Sequence, residues 1–163
     1  MRLVLCIFSI LVLAFPLGGC GAPKEEPTDT TEVTETPETE EIVSSDAELT
    51  LSIDGETVEV AWESNAAVED LKTLAKEQPY EIKLSAYSDF EQVGPIGKSL
   101  TSNDEQMTTE PGDIVLYSGD QMVIFYGQNS WAYTKLGHIT DKSEEELKDL
   151  LGIDNVTVSV SID

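Results

Sequence analysis

The sequence of 163 residues predicts a mainly β protein, folded as a closed, mostly antiparallel barrel with two short helices. Short segments that alternate apolar with polar residues recur from residue 49 to the last residue, as is typical of strands. The two helical patterns are separated by a long run of strand patterns, which argues against a parallel sheet of strand–helix units. Closing an antiparallel sheet into a barrel removes its exposed edges, and the helices then plug its ends.

Strand patterns account for most of the chain after residue 48. In order, the predicted strands are 49–53, 58–60, 80–84, 114–117, 122–126, 131–136 and 156–162. Asp54-Gly55 is a favoured turn for a first hairpin, and the central strands, with a turn at 118–120, are expected to form a meander. Gly137, inside a strand pattern, predicts a bulge or bend of the kind that barrel corners require.

Capping residues and apolar spacing predict the two helices. Ser64 or Asn65 caps the first helix, and Pro79 prevents that helix from continuing. Ser143, followed by three glutamates, forms a capping box for a short second helix. Gly152 is the expected residue just beyond its end.

The first twenty residues have the layout of a secretory signal. Their apolar stretch, 3–17, would cover about 22 Å as a helix, which is too short for a ~30 Å hydrocarbon core. Leu17-Gly18-Gly19-Cys20 resembles the lipobox of bacterial lipoproteins, in which the cysteine is acylated and becomes the first residue. This resemblance implies a signal peptide over residues 1–19, lipidation at Cys20, and a lipid anchor at the extracytoplasmic face of a bacterial cell membrane. The alternative is an ordinary cleaved signal with an idle cysteine.

Residues 20–46 and 47–163 differ sharply in composition. The first segment is rich in Thr, Pro and Glu, has no aromatic residue, and is predicted to be a disordered acidic tether. The second segment contains every Trp and Tyr of the chain and the whole periodic apolar pattern, which predicts one domain. It contains no cysteine, so no disulfide is expected there.

Charge excludes one class of partner. The chain has 32 Asp plus Glu against 9 Lys plus Arg, a formal net charge of −23 at pH 7. From residue 48 onward the balance is 7 Lys against 23 acids, or −16. Nucleic acids are held by clusters of Lys and Arg, so a nucleic-acid binder is excluded. The domain favours neutral or cationic ligands instead.

Five segments of the domain resemble the small bacterial cyclophilin-like domain family. They are Asn65-Ala66-Ala67, Tyr87-Ser88-Asp89-Phe90-Glu91, Gly112-Asp113-Ile114-Val115-Leu116-Tyr117, Val123-Ile124-Phe125-Tyr126-Gly127 and Leu136-Gly137-His138-Ile139. The resemblance covers nearly the whole domain and implies the same barrel as the periodicity. Active cyclophilins isomerise prolyl peptide bonds with the help of an arginine. The arginine here is Arg2, inside the predicted signal peptide, so the resemblance implies no catalytic residue and leans against an enzyme.

Aromatic residues indicate a candidate groove. Phe125, Tyr126, Trp131 and Tyr133 cluster around one predicted hairpin, and strand alternation should send some of them outward. With His138, the one histidine, they form a candidate groove for a peptide or a small apolar ligand. The alternative is that the aromatic side chains fill the core and the barrel rim, and that the histidine is structural.

No motif predicts a metal or a cofactor. The domain has one histidine and no cysteine, and it lacks the spacing of a calcium loop, a phosphate loop or a serine nucleophile elbow. Three hypotheses therefore follow from the sequence. They are a non-catalytic binding module on a membrane tether, a weak peptidyl-prolyl isomerase or folding helper, and a structural envelope protein.

Overall fold

The computed structural model describes residues 48–163, which form ten strands and two helices. The strands are β1 (Leu49–Ile53), β2 (Glu56–Val58), β3 (Val60–Trp62), β4 (Tyr80–Tyr87), β5 (Glu91–Pro95), β6 (Glu105–Thr108), β7 (Asp113–Tyr117), β8 (Gln121–Phe125), β9 (Ser130–Ile139) and β10 (Asn155–Ile162). The helices are α1 (Ala66–Ala75) and α2 (Glu144–Leu151). The predicted signal peptide, the lipidation site at Cys20 and the acidic tether lie outside the described residues.

The strands form a nearly closed antiparallel barrel, as predicted. Nine of them follow the order β2-β1-β10-β4-β5-β8-β7-β9-β3, and β6 pairs with β9. β2 and β3, at the two ends of this order, are separated in the chain by Glu59 alone. One extended segment therefore pairs with β1 through its first half and with β9 through its second half, and this brings the two sheet ends together.

The central strands do not form the predicted meander. β7 and β8 make the predicted hairpin, with Ser118 and Gly119 at φ values of 53° and 78° in its turn. β5 pairs with the far edge of β8, so the chain crosses over and β9 pairs with the free edge of β7. β5 and β6 are missing from the sequence prediction because their residues, EQVGP and EQMT, carry few apolar side chains.

Gly137 lies where the barrel closes. The register between β7 and β9 shifts beside it, which confirms the predicted irregularity. A Cβ at this position would lie 2.8 Å from Cγ1 of Val60 and 2.9 Å from the carbonyl oxygen of Ala61. The glycine thus allows β3 to approach β9 closely.

Both helices begin at predicted caps. The Asn65 side chain accepts a hydrogen bond of 3.0 Å from the backbone N–H of Val68, and Ser143 forms the capping box with Glu146. Gly152 ends α2 as its C-cap, with a φ of −77° rather than a left-handed value. α1 contacts both β9 and β10, which are not neighbours in the sheet, so it lies across an opening of the barrel. Neither helix in residues 48–163 has the length and hydropathy needed to cross a membrane.

Two hydrophobic clusters lie on opposite faces of β7 and β8. Successive residues of a strand point to opposite faces, and those of β7 and β8 alternate between the two clusters. The larger cluster fills the barrel and includes Ile114, Leu116, Met122 and Ile124. The smaller one, called the outer cluster below, consists of Val115, Val123, Phe125 and Tyr133, with Phe90, Val93 and Met107 packed against it.

Candidate functional site

An open pocket of about 270 Å³ lies over the outer cluster and is called the aromatic pocket below. Its walls include four aromatic side chains, those of Tyr87, Tyr117, Trp131 and Tyr133. The side chains of Val93, Val123, Glu91 and Asn129 complete the lining. A concave and mostly apolar surface with two polar groups has the composition of a small-ligand site.

Three of the aromatic residues lie near strand ends and remain exposed. Tyr87 ends β4 and Tyr117 ends β7, while Trp131 is the second residue of β9. Their exposed fractions are 59%, 38% and 57%, respectively. Large apolar side chains that remain exposed around one depression are a common mark of an interaction site.

Tyr133 is a buried residue of the pocket lining and is held there by two aromatic rings and one hydrogen bond. Its ring meets that of Phe125 edge to face, with centroids 5.7 Å apart, and that of Tyr117 at 6.0 Å. The side-chain amide of Asn129 donates a hydrogen bond of 2.8 Å to the Tyr133 hydroxyl. Burial raises the pKa of Tyr133, and the nearby charge of Glu91 acts in the same direction. The phenol therefore stays neutral at physiological pH.

Glu91, the first residue of β5, is the one acidic residue in the lining of the aromatic pocket. It is paired with Tyr87 of β4 on one side and with Phe125 of β8 on the other. The residue is only 8% exposed, and its Oε2 atom is buried without a hydrogen-bond partner within the described residues. Burial raises the pKa of the Glu91 carboxyl to about 7.

The predicted groove residues divide into two groups. Trp131 and Tyr133 line the aromatic pocket, and Phe125 is fully buried beneath it in the outer cluster. Tyr126 packs into the cluster inside the barrel, and His138 lies toward the other end of β9, outside the pocket lining. The structure therefore brings the first three together and separates the other two from them. Ligand binding by this group stays a prediction.

Sequence reasoning missed six of the eight residues that line the aromatic pocket, Tyr87, Tyr117 and Glu91 among them. Tyr87 continues the outward-facing positions of β4, so its alternation with Ile82 and Leu84 was an available signal. Tyr117 is the one exposed residue of β7, at the end of a run of four buried residues. No sequence signal identifies Glu91 as buried, because its burial depends on strands that are distant in sequence.

His138 belongs to a separate polar cluster around Asp113. Its Nδ1 lies 2.8 Å from Oδ1 of Asp113, and Nζ of Lys135 lies 3.1 Å from the same oxygen. Burial raises the pKa of Asp113, but the hydrogen bonds from the Glu110 N–H, His138 and Lys135 outweigh it and hold the pKa below its usual value. The cluster joins β7, β9 and the preceding turn. Within residues 48–163, no group of three or more His, Cys, Asp or Glu is arranged to hold a metal ion.

A nearly closed antiparallel barrel with two short helices fits a cyclophilin-like fold. The cyclophilin-like family matches residues 51–163, and the chain belongs to this family. The match covers every strand and both helices apart from the first two residues of β1.

Two solved structures are similar to the domain. McbB, in a complex with tryptophan, superposes with a TM-score of 0.52 at 13% identity, covering 70% of this chain and 44% of the McbB chain. The hypothetical protein AF2241 from Archaeoglobus fulgidus gives a TM-score of 0.47 at 18% identity, covering 69% of this chain and 92% of that protein. At such identities the likeness to McbB concerns the fold alone. No curated protein matches the sequence significantly.

Proposed function

We propose that this cyclophilin-like domain is a non-catalytic binding module whose ligand, a small apolar molecule or an apolar peptide side chain, occupies the aromatic pocket. The observation that carries this proposal is the exposure of Tyr87, Tyr117 and Trp131 around one depression. Aromatic rings contribute large contact areas with few rotatable bonds, so little conformational entropy is lost when a ligand packs against them.

The composition of the pocket supports binding rather than isomerisation. Prolyl isomerases stabilise a twisted peptide bond, and in cyclophilins an arginine near the prolyl nitrogen contributes to this. The lining of the aromatic pocket contains no arginine, and the sequence has Arg2 alone. A Glu91 carboxyl and an Asn129 amide can orient a ligand, but neither supplies the planar bidentate donor of a guanidinium group.

The two tryptophans provide an internal control for testing this proposal by NMR. Trp131 is exposed in the aromatic pocket, whereas the indole N–H of Trp62 donates a hydrogen bond of 2.6 Å to the carbonyl oxygen of Leu49. In the full chain, titration with 2-phenylethanol or an Ala-Pro peptide should shift the Trp131 indole signal and leave that of Trp62 in place. Trp131→Ala should weaken binding about tenfold or more, because it removes one wall of the pocket.

Three outcomes of this titration are distinguishable. A shift at Trp131 without accelerated cis/trans exchange of the Ala-Pro peptide supports a binding module. Accelerated exchange would support the weak isomerase or folding helper instead. If neither probe shifts Trp131 at millimolar concentration, the binding proposal is wrong and a structural envelope role is favoured.

We also propose that the domain is held at the extracytoplasmic face of a bacterial membrane by acylated Cys20. The Leu17-Gly18-Gly19-Cys20 motif supports this, and the acidic residues 20–46 would separate the domain from the bilayer. Mass spectrometry of the membrane fraction should find a mature N-terminus at diacylated or triacylated Cys20, and Cys20→Ser should release the protein from membranes. An unmodified N-terminus at any other residue would contradict the anchor.

A further inference from the structure

The Glu91 side chain has a buried carboxylate oxygen to which no described residue donates a hydrogen bond. Its Oε2 atom has no hydrogen-bond partner within the described residues, although the residue is more than nine-tenths buried. An unsatisfied buried polar atom costs free energy, so most buried polar side chains in folded proteins have a partner. Because Glu91 lines the aromatic pocket, a cationic ligand in that pocket could offset the cost of burying this carboxylate.

The groups around Glu91 provide no positive charge. Tyr87 faces it from β4, Tyr117 from β7 and Tyr133 from β9, and Tyr126 follows β8. All four side chains are phenols, which have no positively charged form. No Lys or Arg occurs in the lining of the aromatic pocket, and Asp89, in the turn before β5, adds negative charge near the Tyr126 hydroxyl. A cationic ligand would therefore meet no competitor from these surrounding groups.

The aromatic walls favour the same kind of ligand. A cation within about 6 Å of a tryptophan or tyrosine ring is attracted by the negative face of the ring. Trp131, Tyr87 and Tyr117 surround the pocket opening, and the buried Tyr133 completes the aromatic lining. The net charge of −16 from residue 48 onward also raises the local concentration of cations.

We propose that the aromatic pocket binds a small protonated amine on an apolar body, whose ammonium group pairs with the Glu91 carboxylate; this rests on the binding function proposed above. The apolar body packs against Trp131 and the outer cluster, and the ammonium group points toward β5. A primary or secondary amine fits better than a quaternary ammonium, because only the former has an N–H to donate. An ionic hydrogen bond of this kind is roughly twice as strong as a neutral one.

The proposal can be tested with three probes that share one body. Phenethylamine carries an ammonium group, 2-phenylethanol a neutral hydroxyl and 3-phenylpropanoate a carboxylate. Calorimetric titration of the full chain at pH 8 should show phenethylamine binding about tenfold or more tighter than 2-phenylethanol, and 3-phenylpropanoate binding weakest. Glu91→Gln should abolish the preference for the amine over the alcohol.

Proton competition gives a second readout. The raised pKa of Glu91, about 7, means that the carboxyl is mostly protonated at pH 5. The affinity for phenethylamine should therefore fall about tenfold or more between pH 8 and pH 5, toward the affinity for 2-phenylethanol, which should change much less. In Glu91→Gln, the affinity for the amine should lose this dependence on pH.

Glu81→Gln is the matched control. It removes the same charge from an exposed position on β4, six residues before Tyr87 and so about 20 Å away along the strand. The variant should retain the amine preference of the native chain. If it loses the preference to the same extent as Glu91→Gln, diffuse surface charge explains the effect and the proposal is wrong.

The remaining outcomes separate this inference from the proposed function. If the amine and the alcohol bind equally and Glu91→Gln changes neither affinity, the pocket binds apolar ligands but the amine inference is overturned. If no probe binds and the Trp131 indole signal does not move, the binding function and the inference both fail. Preferential binding of 3-phenylpropanoate would also overturn the inference.

Discussion

Glu91→Gln should stabilise the domain by about 3 kcal/mol more at pH 8 than at pH 4. The quantity compared is the difference in the free energy of unfolding between the variant and the native chain. The pKa of the carboxyl is raised from 4.5 to about 7 in the folded protein because burial disfavours its charged form. A tenfold difference in proton affinity between the folded and unfolded chains corresponds to about 1.4 kcal/mol of stability. The amide of glutamine does not titrate, so its own burial cost is the same at every pH and cancels in the comparison.

The direction of this effect follows from proton binding. Between pH 4.5 and pH 7 the folded chain holds a proton on Glu91 that the unfolded chain has released, so the native protein loses stability as the pH rises through this window. This loss of stability is absent when the pH is below 4.5, the pKa of the carboxyl in the unfolded chain, and complete when the pH is above about 7, its pKa in the folded chain. Urea unfolding at pH 4, 5.5, 7 and 8 would measure the difference between the two proteins. A difference that does not change with pH would show that Glu91 is not desolvated in the folded chain.

Glu81→Gln also serves as the baseline in this experiment. It removes one negative charge from an exposed site of an acidic protein, which relieves general repulsion without changing a buried group. Its effect on stability should be within about 0.5 kcal/mol. Subtracting its pH profile from that of Glu91→Gln isolates the contribution of the buried carboxyl.

The barrel could be predicted from the sequence where each strand has a clear alternation. Segments 49–53 and 156–162 bury every second residue along most of their length, so their pattern identifies both the strand and its inner face. β5 and β6 could not be found in this way. In β5 the polar Glu91 and Gln92 are both buried, and the amide of Gln92 donates to the carbonyl oxygens of Leu151 and Ile153 near the end of α2. Only the folded arrangement supplies these partners.

The pairing of strands that are not joined by a hairpin also could not be predicted from the alternation of apolar and polar residues. Alternation assigns faces, but it does not say which strand lies beside which. β9 pairs with β7 because β5 occupies the far edge of β8, and β5 itself has no clear apolar pattern. The resemblance to cyclophilin-like domains gave the architecture without this detail.

Strand geometry explains why only part of the predicted groove comes together in the fold. Phe125 and Tyr126 are consecutive, so they cannot both face the outer cluster from an extended chain, and Tyr126 turns into the barrel interior. His138 is seven residues from Trp131, about 23 Å along an extended strand, and beyond the bulge of β9. Aromatic clustering in the sequence is therefore a guide to Trp131 and Tyr133, but not to the acidic residue beside them.

Phe125→Ala should destabilise the domain by about 3–5 kcal/mol, which is the usual cost of removing a fully buried phenylalanine. Its ring is wholly inaccessible, stacks on that of Phe90 at 6.4 Å and meets Tyr133 edge to face. Typical domains have about 5–15 kcal/mol of stability in total, so this single change removes a large share. Denaturant unfolding monitored by fluorescence would measure the loss.

Trp131→Ala is the informative counterpart, because the indole is 57% exposed. Its loss should cost no more than about 1 kcal/mol of stability while weakening ligand binding. Phe125→Ala should thus mainly lower the free energy of unfolding, and Trp131→Ala should mainly lower the affinity for a ligand. Phe125→Leu retains an apolar side chain beneath the pocket and should recover part of the stability that alanine loses. If Trp131→Ala proved as destabilising as Phe125→Ala, the indole would be a packing element of the outer cluster. The aromatic pocket would then be a by-product of how the barrel is covered rather than a site for a ligand.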